Sequence, residues 1–310
     1  MAAPLDPAGL LLALARPRTA AAAVLATFLA VRGIRKGSLS ADGACAAALV
    51  GFLTLACGWR FGAVLILFYQ SGTAVTKAGA AAKAKLDAQN DKVGEARDAA
   101  QVLACSLTGV ALAVLHLRSF GADDAAASFG AAPARARLLC AYVGHYACCC
   151  GDTWASELGQ LATVPPRLVT APWRSVPPGT NGGVSLLGTM ASASGGFFIG
   201  VAFALLGKLL PAPAGAGPAA DEMLLFAFVG LSSGVIGSFL DSLLGATLQL
   251  TLYDDDRKTV VPAWTTGPGL RRIAGADVLT NTQVNFVSSL ATAWVAQELG
   301  AVLAPLLVRA

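Results

Sequence analysis

Two carboxylates stand at the end of a long apolar run, in the block Gly151–Gly159. Asp152 and Ser156 are four residues apart, so on a helix they share a face, and Glu157 follows directly. A carboxylate in this position can hold Mg²⁺, a hard cation that prefers carboxylate and phosphate oxygens. The block predicts that Asp152 and Glu157 are catalytic and that Asp152 is a metal ligand. A merely solvated helix end is the alternative.

A glycine-rich turn, Pro177–Ser185, follows this block. The residues that we assign to phosphate binding are Gly179, Thr180, Asn181, Gly182 and Gly183. Glycine permits positive φ and a close backbone approach, so successive N–H groups of such a turn can point at one anion. The helix predicted to start after the turn adds partial positive charge. No G-K-[ST] follows, so this is not a Walker motif, and an ordinary tight turn is the alternative.

Asp241 lies inside a further apolar run, between Gly237 and Gln249. A carboxylate at the centre of a membrane helix costs about 2.5–3.5 kcal/mol on insertion, so it usually faces a cavity or a partner. We therefore predict that Asp241 is catalytic and shares the metal with Asp152. A structural, hydrogen-bonded Asp is the alternative.

Cations that could neutralise phosphate charge lie in the first long polar segment, at Lys77, Lys83 and Arg97. Lys77 and Arg97 are assigned to phosphate. Basic loops beside a membrane also fix topology and contact anionic lipid, and this simpler interpretation is equally open.

Amides open the last apolar run, at Asn281, Gln283 and Asn285, which indicates either helix capping or ligand contact. We assign Asn285 to the ligand. His145 lies two helical turns before Asp152 and is interpreted as structural. The sequence contains no Ser-His-Asp, H-E-x-x-H or G-x-G-x-x-G constellation, so a strong general base is not predicted.

An unusually apolar chain must position these residues. Of its 310 residues, 55% are hydrophobic and 13% are charged, and the mean hydropathy is +0.65. Soluble domains carry about 25% charged residues, so the charged shell of a water-soluble fold is missing. The same hydrophobicity excludes disorder, and a net charge of +4 spread along the chain argues against a nucleic-acid partner. The composition predicts a multi-pass integral membrane protein.

A membrane-spanning helix needs about 20 mostly apolar residues, and eight runs come close to that length. We predict an all-α fold, a polytopic membrane helix bundle of about eight spans (seven to nine), forming a single integral membrane domain over residues 1–310. Short or broken helices are expected near the site, and the span Met223–Leu252 is long enough to be bent or broken at Ser232–Ser238. The predicted spans are Ala13–Val31, Ala41–Cys57, Phe61–Thr76, Ala99–Leu117, Leu138–Gly151, Gly183–Gly207, Met223–Leu252 and Val284–Val308.

With eight alternating spans, more of the Lys and Arg residues fall on one side, which the positive-inside rule assigns to the cytosol or its topological equivalent. That side also receives the polar segments Lys77–Arg97, Asp152–Gly183 and Asp254–Asn285. Cations, carboxylates and glycine-rich backbone are thus expected on one face. This mixture suits a phosphorylated ligand with a divalent metal.

Several blocks resemble a known membrane family, in the family's order. They are Gly151–Gly159, Pro178–Ser185, Leu240–Gln249, Gly72-Thr73 with Lys77, Arg97 with Gln101–Ala104, and Val284–Phe286 with Ser288-Ser289. Over roughly residues 32–300 the chain resembles the transmembrane protein 19 family, which includes the plant phytyl-phosphate kinase of vitamin E (tocopherol) synthesis. The resemblance implies an isoprenyl-monophosphate kinase that makes the diphosphate from a nucleoside triphosphate, CTP or another, with Mg²⁺.

Asp152, Glu157, Asp241 and the Asn181–Gly183 turn match motif positions of that family, and their catalytic roles are our inference. The chain departs from the family's pattern before the last span, where Asn281-Thr282-Gln283 replaces a more usual Asn-Asp pair. This departure weakens a metal-binding role for that segment.

The residues indicate a polytopic membrane protein with a phosphate-type site, and the resemblance implies phosphoryl transfer to an isoprenyl phosphate. The expected partners are an isoprenyl phosphate substrate and membrane lipids. A transporter or flippase for a phosphorylated lipid or small anion is the alternative, and a non-catalytic scaffold is the third option. The prenyl chain length, the preferred nucleotide, the oligomeric state and the membrane (endoplasmic reticulum or plastid envelope) stay open.

Overall fold

A computed structural model describes residues 17–86, 96–121, 133–210 and 222–308. The first positions of the span predicted to begin at Ala13 lie outside these residues. So do residues 87–95 of the first polar segment and the side chain of Lys83.

Nine helices make up most of the described chain. Their bounds are α1 Pro17–Arg35, α2 Ala41–Cys57, α3 Trp59–Leu86, α4 Ala99–Ala104, α5 Leu107–Phe120, α6 Pro133–Gly159, α7 Leu186–Leu209, α8 Met223–Leu248 and α9 Asn281–Leu307. Helices α7, α8 and α9 are long and apolar enough to cross a membrane, and α2 and α5 are shorter apolar helices. A mostly helical architecture is thereby confirmed, whereas the number of eight spans stays a prediction.

One predicted span, Ala99–Leu117, is divided into α4 and α5, and the others each correspond to one helix. Asp98 begins α4 with a reciprocal capping box. The chain turns after Ala104, and the carbonyl of Cys105 bonds to His145 Nε2 at 3.0 Å. A broken helix therefore exists between α4 and α5. At Ser232–Ser238 the helix is not broken, because α8 runs through that stretch without interruption.

Helix α6 is the centre of the bundle. It packs against α3, α5, α7, α8 and α9, and every residue from Leu139 to Gly151 is buried. Tyr142 donates a hydrogen bond to the carbonyl of Phe61 at 2.7 Å, and the two rings pack with centroids 4.6 Å apart. Because neighbours surround α6, its last turns, which carry Asp152, are held firmly.

Helices α7 and α8 meet backbone to backbone through two G-x-x-x-G pairs, Gly196 with Gly200 and Gly230 with Gly234. A Cβ added at Gly196 would collide with the carbonyl of Gly230 and lie 2.8 Å from the Cα of Gly234. Small residues of this kind let membrane helices approach closely. The Gly and Ser residues of α8 thus serve packing, which explains why they do not break it.

Two small antiparallel sheets form, mostly in segments that the all-α prediction left as loops, although residues 183–184 and 251–252 lie at the ends of predicted spans. The first has the strand order β2-β1-β3 and the second β5-β4-β6. The strands are β1 Arg167–Leu168, β2 Ala171–Ser175, β3 Gly183–Val184, β4 Thr251–Asp254, β5 Thr259–Val261 and β6 Leu270–Ala274. Arg174 joins the sheets by donating to the carbonyl of Ile273 at 3.1 Å. The fold is therefore mostly helical but not all-α. In each sheet two strands that are neighbours along the chain pair with each other, β1 with β2 and β4 with β5, and a third strand from further along pairs with the central one.

Candidate active site

Asp152 lies in the last turns of α6 and borders a cavity of about 380 Å³. The walls come from α6, the start of α7, the second half of α8, the start of α9 and the glycine-rich turn. Carboxylates, hydroxyls, amides and glycine backbone form most of the lining, and no Lys or Arg is among the described residues that line it. We call this space the polar cavity.

Asp241 reaches the polar cavity from α8. The Oγ atom of Ser288 on α9 lies 3.2 Å from Asp241 Oδ2 and 3.2 Å from the carbonyl oxygen of Asn285. The serine is buried, so its single proton is shared between these two acceptors. Asp241 thus has both a cavity and a partner, as expected for a carboxylate in an apolar helix.

Asp152 and Asp241 share this cavity and are close enough to interact electrostatically. Mg²⁺ in phosphoryl-transfer proteins is held by one or two carboxylates, with phosphate oxygens and waters completing its shell. Two carboxylates, with Ser238, Asn281 and Asn285 also on the cavity wall, fit that requirement. Within the described residues no group of three or more His, Cys, Asp or Glu side chains is present, so a zinc-type protein cage is absent there.

The glycine-rich turn lines the polar cavity but uses several of its own amides internally. The N–H of Thr180 donates to Pro177 O at 3.2 Å, and that of Gly183 to Thr180 O at 2.9 Å. The N–H of Asn181 donates to Thr251 Oγ1 at 3.2 Å, and its side-chain amide donates to Leu250 O at 3.2 Å. Phosphate binding by this turn therefore stays a prediction, and these amides are engaged.

Gly182 is the point where the turn presses against α8. Its φ is +76°, and a Cβ there would lie 2.6 Å from the carbonyl oxygen of Ser242 and 2.8 Å from the Cα of Ala246. Gly179 also has a positive φ, +84°, but its nearest neighbour would be Val260 Cβ at 3.9 Å. Only glycine therefore satisfies both the conformation and the spacing at position 182.

The polar residues at the start of α9 have two different roles, helix capping and lining of the polar cavity. Gln283 forms a capping box with Thr280, since the N–H of Gln283 donates to Thr280 Oγ1 at 3.3 Å and the N–H of Thr280 to Gln283 Oε1 at 2.9 Å. Asn281 and Asn285 are one helical turn apart and line the polar cavity. Gln283 therefore caps the helix, and contact of Asn285 with a ligand stays a prediction. Asn281 was omitted from the predicted site, although its spacing to Asn285 indicated a shared face.

A second cavity of about 380 Å³ adjoins the first, and its lining is mostly apolar. We call it the apolar cavity. Thr153, Asn281 and Asn285 line both spaces. Arg97 and Glu157 line the apolar cavity and are not among the residues that line the polar one.

Lys77 lies apart from both cavities. It is exposed on α3, which continues to Leu86 instead of ending at the predicted Thr76. The helix, rather than a flexible loop, therefore fixes its direction. Lys77 lines neither cavity, and its assignment to phosphate is left as a prediction.

His145 and several charged residues of the second sheet form hydrogen bonds away from the two cavities. His145 is buried, and its Nε2 atom bonds to the Cys105 carbonyl. In the second sheet, Asp254 Oδ1 accepts the N–H groups of Asp256 and Arg257, each at 2.9 Å. Arg271 donates to Asp255 at 3.2 Å, and this hydrogen bond raises the pKa of Arg271. These residues line neither cavity.

The fold is thus an apolar helix bundle with a polar cavity at one end, and two carboxylates border that cavity. The sequence matches the family described as "Integral membrane protein DUF92" over residues 24–293. The chain belongs to this family and is an integral membrane protein, which confirms the family predicted from the motif blocks.

Three relatives show how widely the family is spread. The chain is 35% identical over 273 residues to "Protein PGR" of Arabidopsis thaliana, covering 88% of this chain and 93% of the relative. It is 29% identical over 212 residues to "Protein VTE6, chloroplastic" of the same plant, covering 68% of this chain and 56% of the relative. An uncharacterised membrane protein of Methanocaldococcus jannaschii is 29% identical over 213 residues, which is 68% of this chain and 75% of that protein. No solved structure matches the chain.

Proposed function

We propose that this protein is a prenyl-phosphate kinase, which transfers the terminal phosphoryl group of a nucleoside triphosphate to an isoprenyl monophosphate. The observation that carries the proposal is the polar cavity, where Asp152 and Asp241 face a ligand-sized space whose described lining holds no Lys or Arg. Carboxylates alone repel a bare phosphate, so an anionic ligand would enter such a space with a divalent cation. Membership of the family and the similarity to VTE6 support the same class of reaction.

In this proposal Asp152 and Asp241 hold Mg²⁺, and the bound cation supplies charge neutralisation at the phosphate oxygens. Ser288 keeps the carboxylate of Asp241 in one orientation through its 3.2 Å contact. Asn285 and the Gly179–Gly183 turn shape the wall against which the donor phosphates rest.

The chemical step needs little covalent help from the protein. An oxygen of the acceptor phosphate forms a bond to the γ-phosphorus, the bond from that phosphorus to the β–γ bridging oxygen breaks, and the nucleoside diphosphate leaves. The acceptor oxygen is already anionic, so no proton has to be removed. This is consistent with a cavity whose described lining contains no His. Glu157 and Arg97 would act on the acceptor side, since both line the adjoining cavity.

A transporter or flippase for a phosphorylated lipid is the second candidate. The break between α4 and α5 favours it, because discontinuous helices beside a buried carboxylate are common in transporters. Such a protein would move its ligand without consuming a nucleotide. Uptake of the lipid phosphate by liposomes in the absence of nucleotide would support this function over the kinase.

The direct test incubates the purified protein in detergent with phytyl or geranylgeranyl monophosphate, Mg²⁺ and each of CTP, GTP, UTP and ATP. We expect mass spectrometry to detect the prenyl diphosphate with at least one donor. Asp152→Asn should abolish the product, because the variant removes a charge that the metal requires. Chelation of Mg²⁺ by EDTA should do the same.

Asp277→Asn is the matched control. Asp277 is exposed and lines neither cavity, so the same loss of charge should leave turnover unchanged. Absence of product with every donor, from protein that elutes as a folded species, would contradict the kinase. Full activity in Asp152→Asn would instead remove Asp152 from the site.

A further inference from the structure

We propose that the apolar cavity holds the prenyl tail of the acceptor and that its far end, lined by Leu55 and Gly62, sets the chain length that the protein accepts. The cavity lies between α1, α2 and α3, with α4 at its mouth. The identity of the ligand as a prenyl phosphate rests on the proposed function. The presence of the cavity and the residues that line it are independent of that function.

The lining suits a branched hydrocarbon. It consists mainly of small and aliphatic side chains, including Ala26, Ala47, Val50, Leu55, Leu65 and Ile66. A volume of about 380 Å³ lies within the range of about 300–1,000 Å³ that small-molecule sites occupy. Alanine at three lining positions, Ala26, Ala30 and Ala47, leaves room that larger residues would fill.

The cavity is elongated along α3. Its lining on that helix extends from Thr76 near the mouth to Gly62. At a rise of about 1.5 Å per residue, this part of the helix is about 20 Å long. Leu55 stands at the far end, where it packs directly against Gly62. An extended chain of several isoprene units fits a space of this length, and Leu55 and Gly62 line its far end.

Arg97 provides the charge that a lipid phosphate requires at the mouth. It is the only basic residue among the described residues that line the apolar cavity. Its backbone is fixed between Ser38 and Ser40, and its Nη1 atom lies 3.3 Å from Thr73 Oγ1. No described carboxylate forms a salt bridge with Arg97. A guanidinium has five N–H donors, so several are left for an acceptor phosphate.

The end of the apolar cavity that Arg97 lines adjoins the polar cavity, where the phosphoryl transfer is proposed. Thr153, Asn281 and Asn285 belong to both cavities, so a phosphate held beside Arg97 is next to the wall of the polar cavity. The tail then points away from the carboxylates. A lipid bound in this direction presents its phosphate, and not its chain, to the donor nucleotide.

The experiment measures binding and turnover separately for geranylgeranyl and geranyl monophosphate, the long and short probes. Ile66→Phe places an aromatic ring in the apolar cavity one helical turn from Gly62, at the end away from Arg97. We expect it to weaken binding of the long probe about tenfold and of the short probe less than about twofold. Leu67→Phe is the matched control, because Leu67 is the next residue of α3 and lines neither cavity.

Arg97→Gln tests the mouth in the same assay. It should weaken binding of geranylgeranyl monophosphate but not of geranylgeraniol, the alcohol without a phosphate. Equal losses for long and short probes in Ile66→Phe, or no loss in either, would overturn the tail site. If the protein binds the prenyl monophosphates, Ile66→Phe alters its preference for chain length and no turnover is seen, the tail site is retained and the kinase is rejected. Turnover with unaltered length preference would keep the kinase and reject the tail site.

Discussion

Asp241 depends on a neighbour from another helix for its orientation. Ser288 Oγ lies 3.2 Å from its carboxylate, and both residues are held by packed helices. We expect Ser288→Ala to lower kcat by about 10- to 100-fold, because a hydrogen bond to a charged group contributes about 1.5–3 kcal/mol. The apparent requirement for Mg²⁺ should rise at the same time. A titration of turnover against Mg²⁺ measures both effects.

Ser289→Ala is the control for this prediction. Ser289 is equally buried, but its hydroxyl donates to the Phe286 carbonyl of its own helix, at 3.1 Å. Ser288→Thr keeps a hydroxyl and should recover part of the activity. A Ser288→Ala protein with unchanged kcat and Mg²⁺ dependence would show that the contact has no part in catalysis.

Candidate site residues could be predicted from the sequence where a polar side chain interrupts an apolar segment. Asp152 and Asp241 were identified this way, and they line one cavity although they are far apart in sequence. Arg97 and Glu157 were assigned to the same site, but the structure places them on the adjoining cavity. That division depends on how α3, α4 and α6 pack, which no local pattern encodes.

At the scale of elements, the contact between the glycine-rich turn and α8 has a measurable consequence. Gly179→Ala and Gly182→Ala both place a side chain at positive φ, which costs about 1–2 kcal/mol. At Gly182 the new methyl group also meets the backbone of Ser242 and Ala246, which adds about 1–3 kcal/mol. We therefore expect Gly182→Ala to reduce both the unfolding midpoint and turnover more than Gly179→Ala does.

Thermal unfolding in detergent and the prenyl-diphosphate assay together measure this difference. Equal effects of the two substitutions would mean that the turn moves away from α8 at little cost. The close contact between Gly182 and α8 would then not determine the position of the turn.

Helix bounds were more predictable than helix continuity. The span Ala41–Cys57 agrees with α2 at both ends, because Ser40 caps its start and Gly58 follows its end. The break at Cys105 was missed because the sequence remains apolar there. The strands were missed for a related reason: their pairing joins segments such as Thr251–Asp254 and Leu270–Ala274, which are short and show no clear alternation.

At the scale of the whole molecule, a buried ion pair joins three helices at the end of the bundle opposite the polar cavity. Arg60 Nη2 lies 2.6 Å from Glu222 Oε2, and Arg60 Nε donates to the Phe203 carbonyl at 2.8 Å. The pair thereby joins α3, α7 and the start of α8. Removing one partner of a buried pair leaves an uncompensated charge and costs about 3–5 kcal/mol. We expect Glu222→Gln to lower the unfolding midpoint while KM for either substrate stays the same.

Glu298→Gln serves as the comparison, because the Arg137–Glu298 pair is similar in length, 2.9 Å, but about half exposed. Exposed pairs contribute little, so its midpoint should move much less. A large change in KM for Glu222→Gln would mean that the two ends of the bundle are coupled.

The shared wall of the two cavities has a thermodynamic consequence. Thr153, Asn281 and Asn285 belong to both spaces, so an occupant of one restricts the side chains available to the other. Any resulting change in affinity is reciprocal: if the lipid alters nucleotide affinity by some factor, the nucleotide alters lipid affinity by the same factor. In the proposed kinase the lipid and the nucleotide would therefore be mutual effectors, and affinities measured one at a time would not describe the ternary complex.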